Sequence, residues 1–197
     1  VSPAPGRHAE IGRPRARNRI EYLRGCNRCQ LLADAARHQH PAVAQQHRGQ
    51  IARRGEPGKE LAVKRLAGLD LDLALSKETS GIVATLRGER PGPSIVLRGD
   101  MDALPMTEDT GLDFASEETG RMHSCGHDAH TAMLASAAAL LCQQRSDLAG
   151  SVRFMFQPGE EGWGGAKIML EEGLLALGGK PDAAFALHVR PEFPAGV

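Results

Sequence analysis

Thiol, imidazole and carboxylate side chains are concentrated in the C-terminal part of the chain. Residues 125–130 read Cys-Gly-His-Asp-Ala-His, residues 157–162 read Gln-Pro-Gly-Glu-Glu-Gly, and His188 comes at the end of an apolar run. This mixture of sulfur, nitrogen and oxygen ligands suits a borderline transition metal such as Zn, Mn, Co or Ni, and it does not suit calcium. The residue types and their spacing therefore predict a transition-metal site.

The adjacent carboxylates Glu160 and Glu161 indicate what such a site could do. Two metal ions about 3.5–4 Å apart can share a bridging water, which then loses its proton near neutral pH. A neighbouring carboxylate that does not bind metal can act as general base and pass the proton to a leaving amine. Because neighbouring residues in extended backbone point in opposite directions, one glutamate can bind metal while the other faces the water. The pair therefore favours hydrolytic chemistry.

Strands and helices alternate along this part of the chain. Runs of apolar and β-branched residues predict strands, and apolar residues at helical spacing predict helices. In chain order these are a helix after Glu60, strands at 81–86 and 94–98, a helix at 128–144, a strand at 151–156, a helix at 165–177 and a strand at 183–189. We expect Asp128 to cap the second helix and the nearly all-apolar last strand to be buried on both faces. This alternation predicts an α/β fold with a mainly parallel sheet and crossover helices.

The candidate residues follow the ends of the predicted strands. In parallel α/β sheets, ligands bind beyond the carboxyl ends of the strands. The Asp100–Asp102 segment, the Glu160–Glu161 pair and His188 each come at such an end, while Cys125 and His127 lie in the loop that enters a helix. We therefore expect separate segments to bring these side chains together at one edge of the sheet.

Other ligand-type residues have simpler explanations. Cys142 lies inside a predicted helix, where a lone cysteine is usually a small buried hydrophobic residue. His123 and His130 are candidates for contacting substrate or supporting a ligand. A second glutamate pair, Glu171–Glu172, is expected on an exposed helix face in contact with water.

The composition of the 197-residue chain limits the function classes. No apolar run reaches the roughly 18–20 residues of a membrane helix, so no membrane partner is expected. Four scattered cysteines do not make a disulfide scaffold, and together with the lack of an apolar signal core they predict a cytoplasmic location. Residues 1–65 contain 14 Lys/Arg against 5 Asp/Glu, but only one aromatic residue, Tyr22. With no recognisable nucleic-acid module, we expect no nucleic-acid partner.

Residues 1–58 form an irregular basic segment with weak periodicity and one predicted helix at 19–37. Cys26 and Cys29, followed by His38 and His40, suggest a zinc finger. The eight residues between Cys29 and His38 fall short of the roughly twelve that a C2H2 finger needs, so we reject that interpretation. Residues 55–58 read Gly-Glu-Pro-Gly and indicate a turn or linker.

Four segments together resemble the M20 metallopeptidase family, and in particular its amidohydrolase branch of hippurate hydrolases and N-acyl-amino-acid amidohydrolases. They are Arg98–Pro105, Met122–His130, Gln157–Glu161 and Ala186–Val189. The resemblance extends from about Gly81 to Val197, and the four motifs come in the order and spacing of the family.

The resemblance implies metal-dependent hydrolysis of the amide bond of an N-acyl amino acid, with hippurate-like or N-acetyl substrates expected. It implies two divalent metal ions, Zn or Mn in the first place and otherwise Co or Ni. The implied ligands are Cys125, His127, Glu161 and His188, with Glu160 as general base and Asp102 as an orienting carboxylate. The motifs do not specify substrate-binding residues.

Members of this family are usually much longer, because a smaller α/β domain for dimerisation and substrate closure follows the strand that carries the equivalent of His188. On this resemblance, residues 59–197 are a partial zinc-peptidase-like catalytic domain that stops before the dimerisation domain and before a final histidine ligand. Full-length relatives are expected to form homodimers. The alternative interpretation is an inactive, degenerate fragment of such an enzyme with partial metal binding only.

Overall fold

The computed structural model describes residues 57–194. The helix predicted at 19–37, the Cys26–Cys29 pair and the rest of the basic segment up to residue 56 lie outside this range. The described elements are the helices α1 (Pro57–Leu66), α2 (His127–Cys142) and α3 (Gly165–Glu171), a 3-10 turn at Arg145–Asp147, and the strands β1 (Asp72–Leu75), β2 (Ile82–Arg87), β3 (Arg90–Asp100), β4 (Ala149–Gln157) and β5 (Ala183–Ala186).

The five strands form one sheet in the order β1-β2-β4-β3-β5. β3 pairs in parallel with β4 on one side and with β5 on the other. β2 pairs antiparallel with both β1 and β4, so it runs against the other four strands. The chain passes from β3 to β4 through α2, which is the helical crossover that parallel neighbours require. The predicted α/β class and mainly parallel sheet are confirmed.

Both faces of the sheet are covered by helices. Side chains alternate along β4, so that Phe154 and Phe156 join the core beneath α1 and α2, whereas Met155 joins the core beside α3. The two phenylalanines are fully buried, as is Met169 of α3. The three layers leave the ends of the strands free to carry polar residues.

The last strand differs from its prediction. β5 ends at Ala186 rather than at Val189, and it is not buried on both faces, since 56% of Phe185 and 79% of Leu187 are exposed. Within the described residues, β5 is an edge strand bonded to β3 alone. An apolar run does not by itself distinguish a central strand from an edge strand.

Two helix predictions also need correction. Asp128 is not the N-cap of α2, because Gly126 occupies that position in a left-handed conformation and Asp128 lies in the first turn. The helix predicted at 165–177 ends at Glu171. Two residues later, Gly173 has φ of 73°, which turns the chain out of helical geometry. At the other end of the described range, Pro57 and Gly58 open α1 rather than belonging to a linker.

None of the described helices is long and apolar enough to cross a membrane.

Candidate metal centre

The carboxyl ends of β3, β4 and β5 meet at one edge of the sheet, and most of the candidate residues follow them. β3 and β4 end in register, with Asp100 opposite Gln157. Beyond these ends come Asp102, the 160–161 pair and, after β5, His188. The parallel pairing is therefore what brings residues from distant parts of the chain to one edge.

Two glycines allow the amino end of α2 to approach the same edge of the sheet. A Cβ atom on Gly99 would lie 3.1 Å from the carbonyl oxygen of His130, so glycine allows the helix to pack closely on β3. Gly126 has φ of 78°, a left-handed conformation that turns the chain between Cys125 and His127. The thiol thus precedes the turn and the imidazole begins the helix.

His127 lies at the centre of the cluster with its side chain fully buried. Its Nδ1 atom is 2.9 Å from the carbonyl oxygen of Asp102. A carbonyl can only accept, so Nδ1 carries a proton, and in the neutral imidazole Nε2 then presents a lone pair. Nε2 has no hydrogen-bond partner in the described structure, and carboxylate oxygens of Asp100, Glu160 and Glu161 lie 3.7, 4.0 and 3.9 Å away. An imidazole lone pair facing three carboxylates is an arrangement that a cation would stabilise.

The Glu160–Glu161 pair is partly open to water, with 39% and 31% of the two side chains exposed. The backbone N–H of Glu161 donates to Asp102 Oδ2 over 3.0 Å, which ties the turn after β4 to the turn after β3. Both carboxylates remain within reach of His127 Nε2 while facing solvent. They can therefore meet a small molecule arriving from outside.

Cys125 and His188 lie next to each other, with 3.3 Å between Sγ and Nε2. His188 Nδ1 donates to the carbonyl oxygen of Val189, so its Nε2 lone pair points towards the thiol. Burial, together with hydrogen bonding to Glu161 and the charges of Glu161 and Glu160, raises the pKa of the Cys125 thiol to about 11. A cation binding here would have to displace that proton.

Asp102 bonds to both His127 and the backbone of Glu161 and so links two parts of the cluster. Burial favours its neutral form, but hydrogen bonds from His127 and from the backbone of Glu161 and Glu160 outweigh this effect and lower the pKa of Asp102. Burial likewise favours neutral His127, whereas its hydrogen bond to Asp102 and the charges of Asp100 and Asp102 raise the pKa of His127. The Asp102 carboxylate is thus ionised and fixes the orientation of the imidazole.

Asp100 and His130 contribute more than their sequence context indicated. Both side chains are buried, and His130 Nδ1 is 2.5 Å from Asp100 Oδ1. The His130 ring stacks at 5.5 Å on that of His127, three residues earlier on the same helix face. The i, i+3 spacing of the two histidines was the available sequence signal for this proximity.

Other residues considered from the sequence lie away from the cluster or play a different role. Cys142 packs against the core beneath α2, as predicted. His123 is half-buried, and burial lowers its pKa despite the opposing charge of Asp128, so its imidazole is neutral near pH 7. Glu172 was expected to be solvated, but it accepts hydrogen bonds from the turn at 76–79, 2.5 Å from Ser76 Oγ and 2.7 Å from Lys77 N.

The donor set fits a divalent transition-metal ion. Three overlapping groups of ligand atoms each lie within 4.8 Å of one another: Cys125 with His127 and His188, Asp100 with His127 and His130, and His127 with Glu160 and Glu161. One sulfur, several imidazole nitrogens and several carboxylate oxygens make a mixed set of borderline character. His127 belongs to all three groups, so it would be shared or central in any metal arrangement.

Comparisons with known proteins agree with this geometry. The chain is 47% identical over 117 residues to an N-acetylcysteine deacetylase of Bacillus subtilis, covering 59% of the chain and 30% of the relative. It is 42% identical over 135 residues to thermostable carboxypeptidase 1 of Saccharolobus solfataricus, covering 68% and 33%. Among solved structures, it matches a Bacillus subtilis dinuclear metal-binding peptidase of the M20 family with a TM-score of 0.74 and 33% identity, covering 89% of the chain and 45% of that structure.

The chain spans about a third of the length of these curated relatives. The sequence model of peptidase family M20/M25/M40 matches residues 96–197, which include every residue of the cluster and more than half of the chain. Together with the similarity in fold to a solved M20 peptidase, this match establishes that the chain belongs to peptidase family M20/M25/M40.

Proposed function

We propose that this protein hydrolyses the amide bond of N-acyl amino acids in a metal-dependent reaction. The observation that carries the proposal is the environment of His127 Nε2. This buried nitrogen has no hydrogen-bond partner in the described structure and lies within 4.0 Å of three carboxylate oxygens, which come from two segments of the chain. The names of the deacetylase and carboxypeptidase relatives support cleavage of an amide.

We assign metal binding to Cys125, His127, Glu161 and His188. The proximity of Cys125 Sγ to His188 Nε2 and of Glu161 Oε1 to His127 Nε2 supports this set. Bound divalent ions would polarise the substrate carbonyl and lower the pKa of a water molecule. The similarity to a dinuclear peptidase supports two such ions, and the mixed donor set favours Zn or Mn, with Co or Ni as alternatives.

Glu160 is assigned as the general base. Its carboxylate lies 4.0 Å from His127 Nε2 and is more exposed than that of Glu161, so it can meet both water and substrate. In the forward reaction it accepts a proton from the attacking water. It then donates that proton to the nitrogen of the leaving amino acid, so that the carboxylate is regenerated. Asp102 supports this step by holding the His127 ring and the Glu161 backbone in place.

The names of the relatives support the proposed substrate class. One relative is named for the deacetylation of N-acetylcysteine and another as a carboxypeptidase, which supports N-acetyl amino acids as substrates here. The proposal extends to hippurate-like N-benzoyl amino acids on the family resemblance of the motifs. A partial catalytic domain at 59–197, a homodimer and a cytoplasmic location stay predictions from the sequence and the family resemblance.

The proposal is tested by metal titration followed by hydrolysis assays on N-acetyl and N-benzoyl amino acids. Glu160→Gln should bind metal like the wild type yet lose 10²–10⁴-fold in turnover, the usual contribution of a general base. Glu171→Gln is the matched control, because Glu171 is an exposed carboxylate on α3 paired only with Lys167 among the described residues. Metal binding without hydrolysis in the wild type would favour the alternative of an inactive metal-binding fragment.

A further inference from the structure

His130 has both ring nitrogens engaged by protein atoms. Nδ1 is 2.5 Å from Asp100 Oδ1, and Nε2 is 2.9 Å from the backbone nitrogen of Val189. A backbone N–H can only donate, so Nε2 accepts and Nδ1 carries the proton donated to Asp100. The side chain is 2% exposed. Although it falls in a group with ligand geometry, His130 could bind a metal only by giving up one of these hydrogen bonds.

Asp100 is itself anchored on its other side. Its Oδ2 atom lies 2.7 Å from Arg98 Nη1, and Arg98 Nε donates to Gln157 Oε1 over 2.8 Å. Arg98 and Asp100 belong to the end of β3, and Gln157 is the last residue of β4. The three side chains Arg98, Asp100 and His130 therefore form a continuous polar connection, which we call the 98–100–130 brace.

The His130 end of the brace contacts the segment after β5, which is no longer paired with the sheet. The pairing between β3 and β5 stops at Ala186, two residues before His188. Beyond it, His188 is exposed, with Nδ1 donating to the carbonyl oxygen of Val189 and Nε2 next to the Cys125 thiol. Its ring also meets the His130 ring edge-on, with 4.5 Å between the centroids. The backbone of Val189, however, is fixed by His130.

A second contact fixes the same residue. A Cβ atom on Gly126 would lie within 2.4 Å of Val189 Cγ2, so the Val189 side chain packs directly on the turn between Cys125 and His127. Val189 is thus held through its backbone by His130 and through its side chain by Gly126. These two contacts set the distance between the segment carrying His188 and the segment carrying Cys125.

We propose that His130 is a positioning residue, which acts through Val189 and through its own ring contact to hold the His188 imidazole in place for metal binding opposite Cys125. The inference rests on the proposed function only in taking His188 and Cys125 as metal ligands. Arg98 and Asp100 fix the position and the tautomer of the His130 ring. Because both of its ring nitrogens are engaged by protein atoms, His130 is not assigned as a metal ligand.

Two substitutions separate the two hydrogen bonds of His130. In His130→Asn, the shorter amide can still donate to Asp100 but cannot reach Val189. In His130→Gln, the longer side chain can place its amide oxygen near the former Nε2 position and accept from Val189 N–H. The readouts are the Co(II) affinity of the full chain, measured by titration, and the thiolate-to-Co(II) charge-transfer band. We expect a 10–100-fold loss of affinity in His130→Asn, as is typical of groups that support a ligand, and substantial recovery in His130→Gln.

A double-mutant cycle with His188→Ala distinguishes positioning from general structural support. If His130 acts through His188, then His130→Asn should have no further effect on Co(II) affinity in the His188→Ala background. Full additivity of the two losses would overturn the proposal, and so would wild-type affinity and spectrum in His130→Asn. If His130→Asn fails to fold, as judged by circular dichroism, the test uses His130→Gln instead. A loss of Co(II) affinity in His130→Gln as large as that in His188→Ala would then contradict the proposal.

The cycle does not depend on turnover. A wild-type chain that binds Co(II) but hydrolyses no N-acyl amino acid would overturn the proposed function while leaving the role of His130 measurable. Conversely, an active enzyme with additive losses in the cycle would retain the proposed function and remove the inference about His130.

Discussion

Two glutamate pairs in this chain, Glu160–Glu161 and Glu171–Glu172, look alike in sequence and have opposite surroundings in the structure. Around Glu172 every partner is a donor: Ser76 Oγ, Lys77 N and Glu78 N lie 2.5, 2.7 and 3.1 Å away. These donors of the turn at 76–79 therefore find their acceptor within the protein. On the other side of the turn, Lys59 Nζ donates to the carbonyl oxygens of Ser76 and Thr79, which closes the turn from α1.

Around Glu160 and Glu161 the protein supplies mostly acceptors instead, although the Cys125 thiol donates to Glu161. Both carboxylates face the His127 Nε2 lone pair, and an oxygen of the Asp100 carboxylate is 3.7 Å from the same nitrogen. Negative charges and lone pairs that converge with few donors between them repel each other. The arrangement costs free energy in the protein alone and is stabilised when a cation binds.

The difference teaches how to separate a structural carboxylate from a functional one. Both pairs consist of two adjacent glutamates, but the balance of donors and acceptors around them differs. A carboxylate that accepts several hydrogen bonds contributes to folding, whereas one that faces other acceptors is available to a ligand. Substituting one member of each pair should therefore affect different properties.

The largest effect is expected for metal affinity at the first pair. Glu161→Gln should weaken binding of Zn or Co(II) by more than the 10–100-fold that a supporting group contributes, because it removes a charged ligand. Unfolding of the metal-free protein by urea should change little, since the glutamine amide oxygen can still accept the hydrogen bond from the Cys125 thiol. Isothermal titration of Glu161→Gln beside Glu172→Gln provides the comparison. Equal metal affinities in the two variants would contradict the assignment of Glu161.

The next effect is on stability at the second pair. Glu172→Ala leaves Ser76 Oγ and the Lys77 N–H without their acceptor, so we expect a loss of about 1–3 kcal/mol in the free energy of unfolding. Metal affinity should stay at the wild-type value. Urea unfolding monitored by circular dichroism measures the loss, and the same titration checks the affinity. A stable Glu172→Ala variant with weakened metal binding would reverse the roles of the two pairs.

The position of the first pair could be predicted from the sequence because it depends on local signals. One predicted strand ends before Gln-Pro-Gly-Glu-Glu, and another ends before Asp100. Once these two strands are parallel, their ends determine where the carboxylates meet. The same holds for Cys125 and His127, which precede and begin a strongly apolar helix. Short-range patterns were sufficient for these residues.

The role of the second pair could not be predicted, because its partners are distant in sequence. Glu172 and Ser76 are 96 residues apart, and Val189 and His130 are 59 residues apart. Nothing in the spacing of either residue indicates which donor it meets after folding. The exposure of Phe185 on β5 was missed for a related reason, since the position of a strand within the sheet depends on all its neighbours.

The contribution of Glu172 should also depend on pH. Burial favours its neutral form, but the hydrogen bonds from Ser76, Lys77 and Glu78 outweigh that effect and lower the pKa of Glu172 below its ordinary value of 4.5. A carboxyl whose pKa is lower in the folded protein stabilises it above the unfolded pKa, and this stabilisation is lost as the pH falls through the folded pKa. The stability difference between wild type and Glu172→Ala should therefore be full at pH 7 and shrink below about pH 4.5. Urea titrations between pH 3 and pH 7 measure it, and a difference that grows towards acid pH would contradict the hydrogen-bonding scheme.

The smallest effect is expected within the second pair itself. Glu171 lies one residue from Glu172, but its carboxylate is 3.7 Å from Lys167 Nζ, and both side chains are largely exposed. An exposed i, i+4 ion pair on a helix contributes about 0.3–0.5 kcal/mol and is weakened by salt. Glu171→Ala should therefore lower the free energy of unfolding by no more than this, with most of the loss absent at 1 M NaCl. The Glu172→Ala loss should persist at that salt concentration, because its hydrogen bonds from backbone and hydroxyl donors are short-ranged. A salt response shared by the two variants would mean that Glu172 acts as a surface charge rather than as an acceptor for the turn at 76–79.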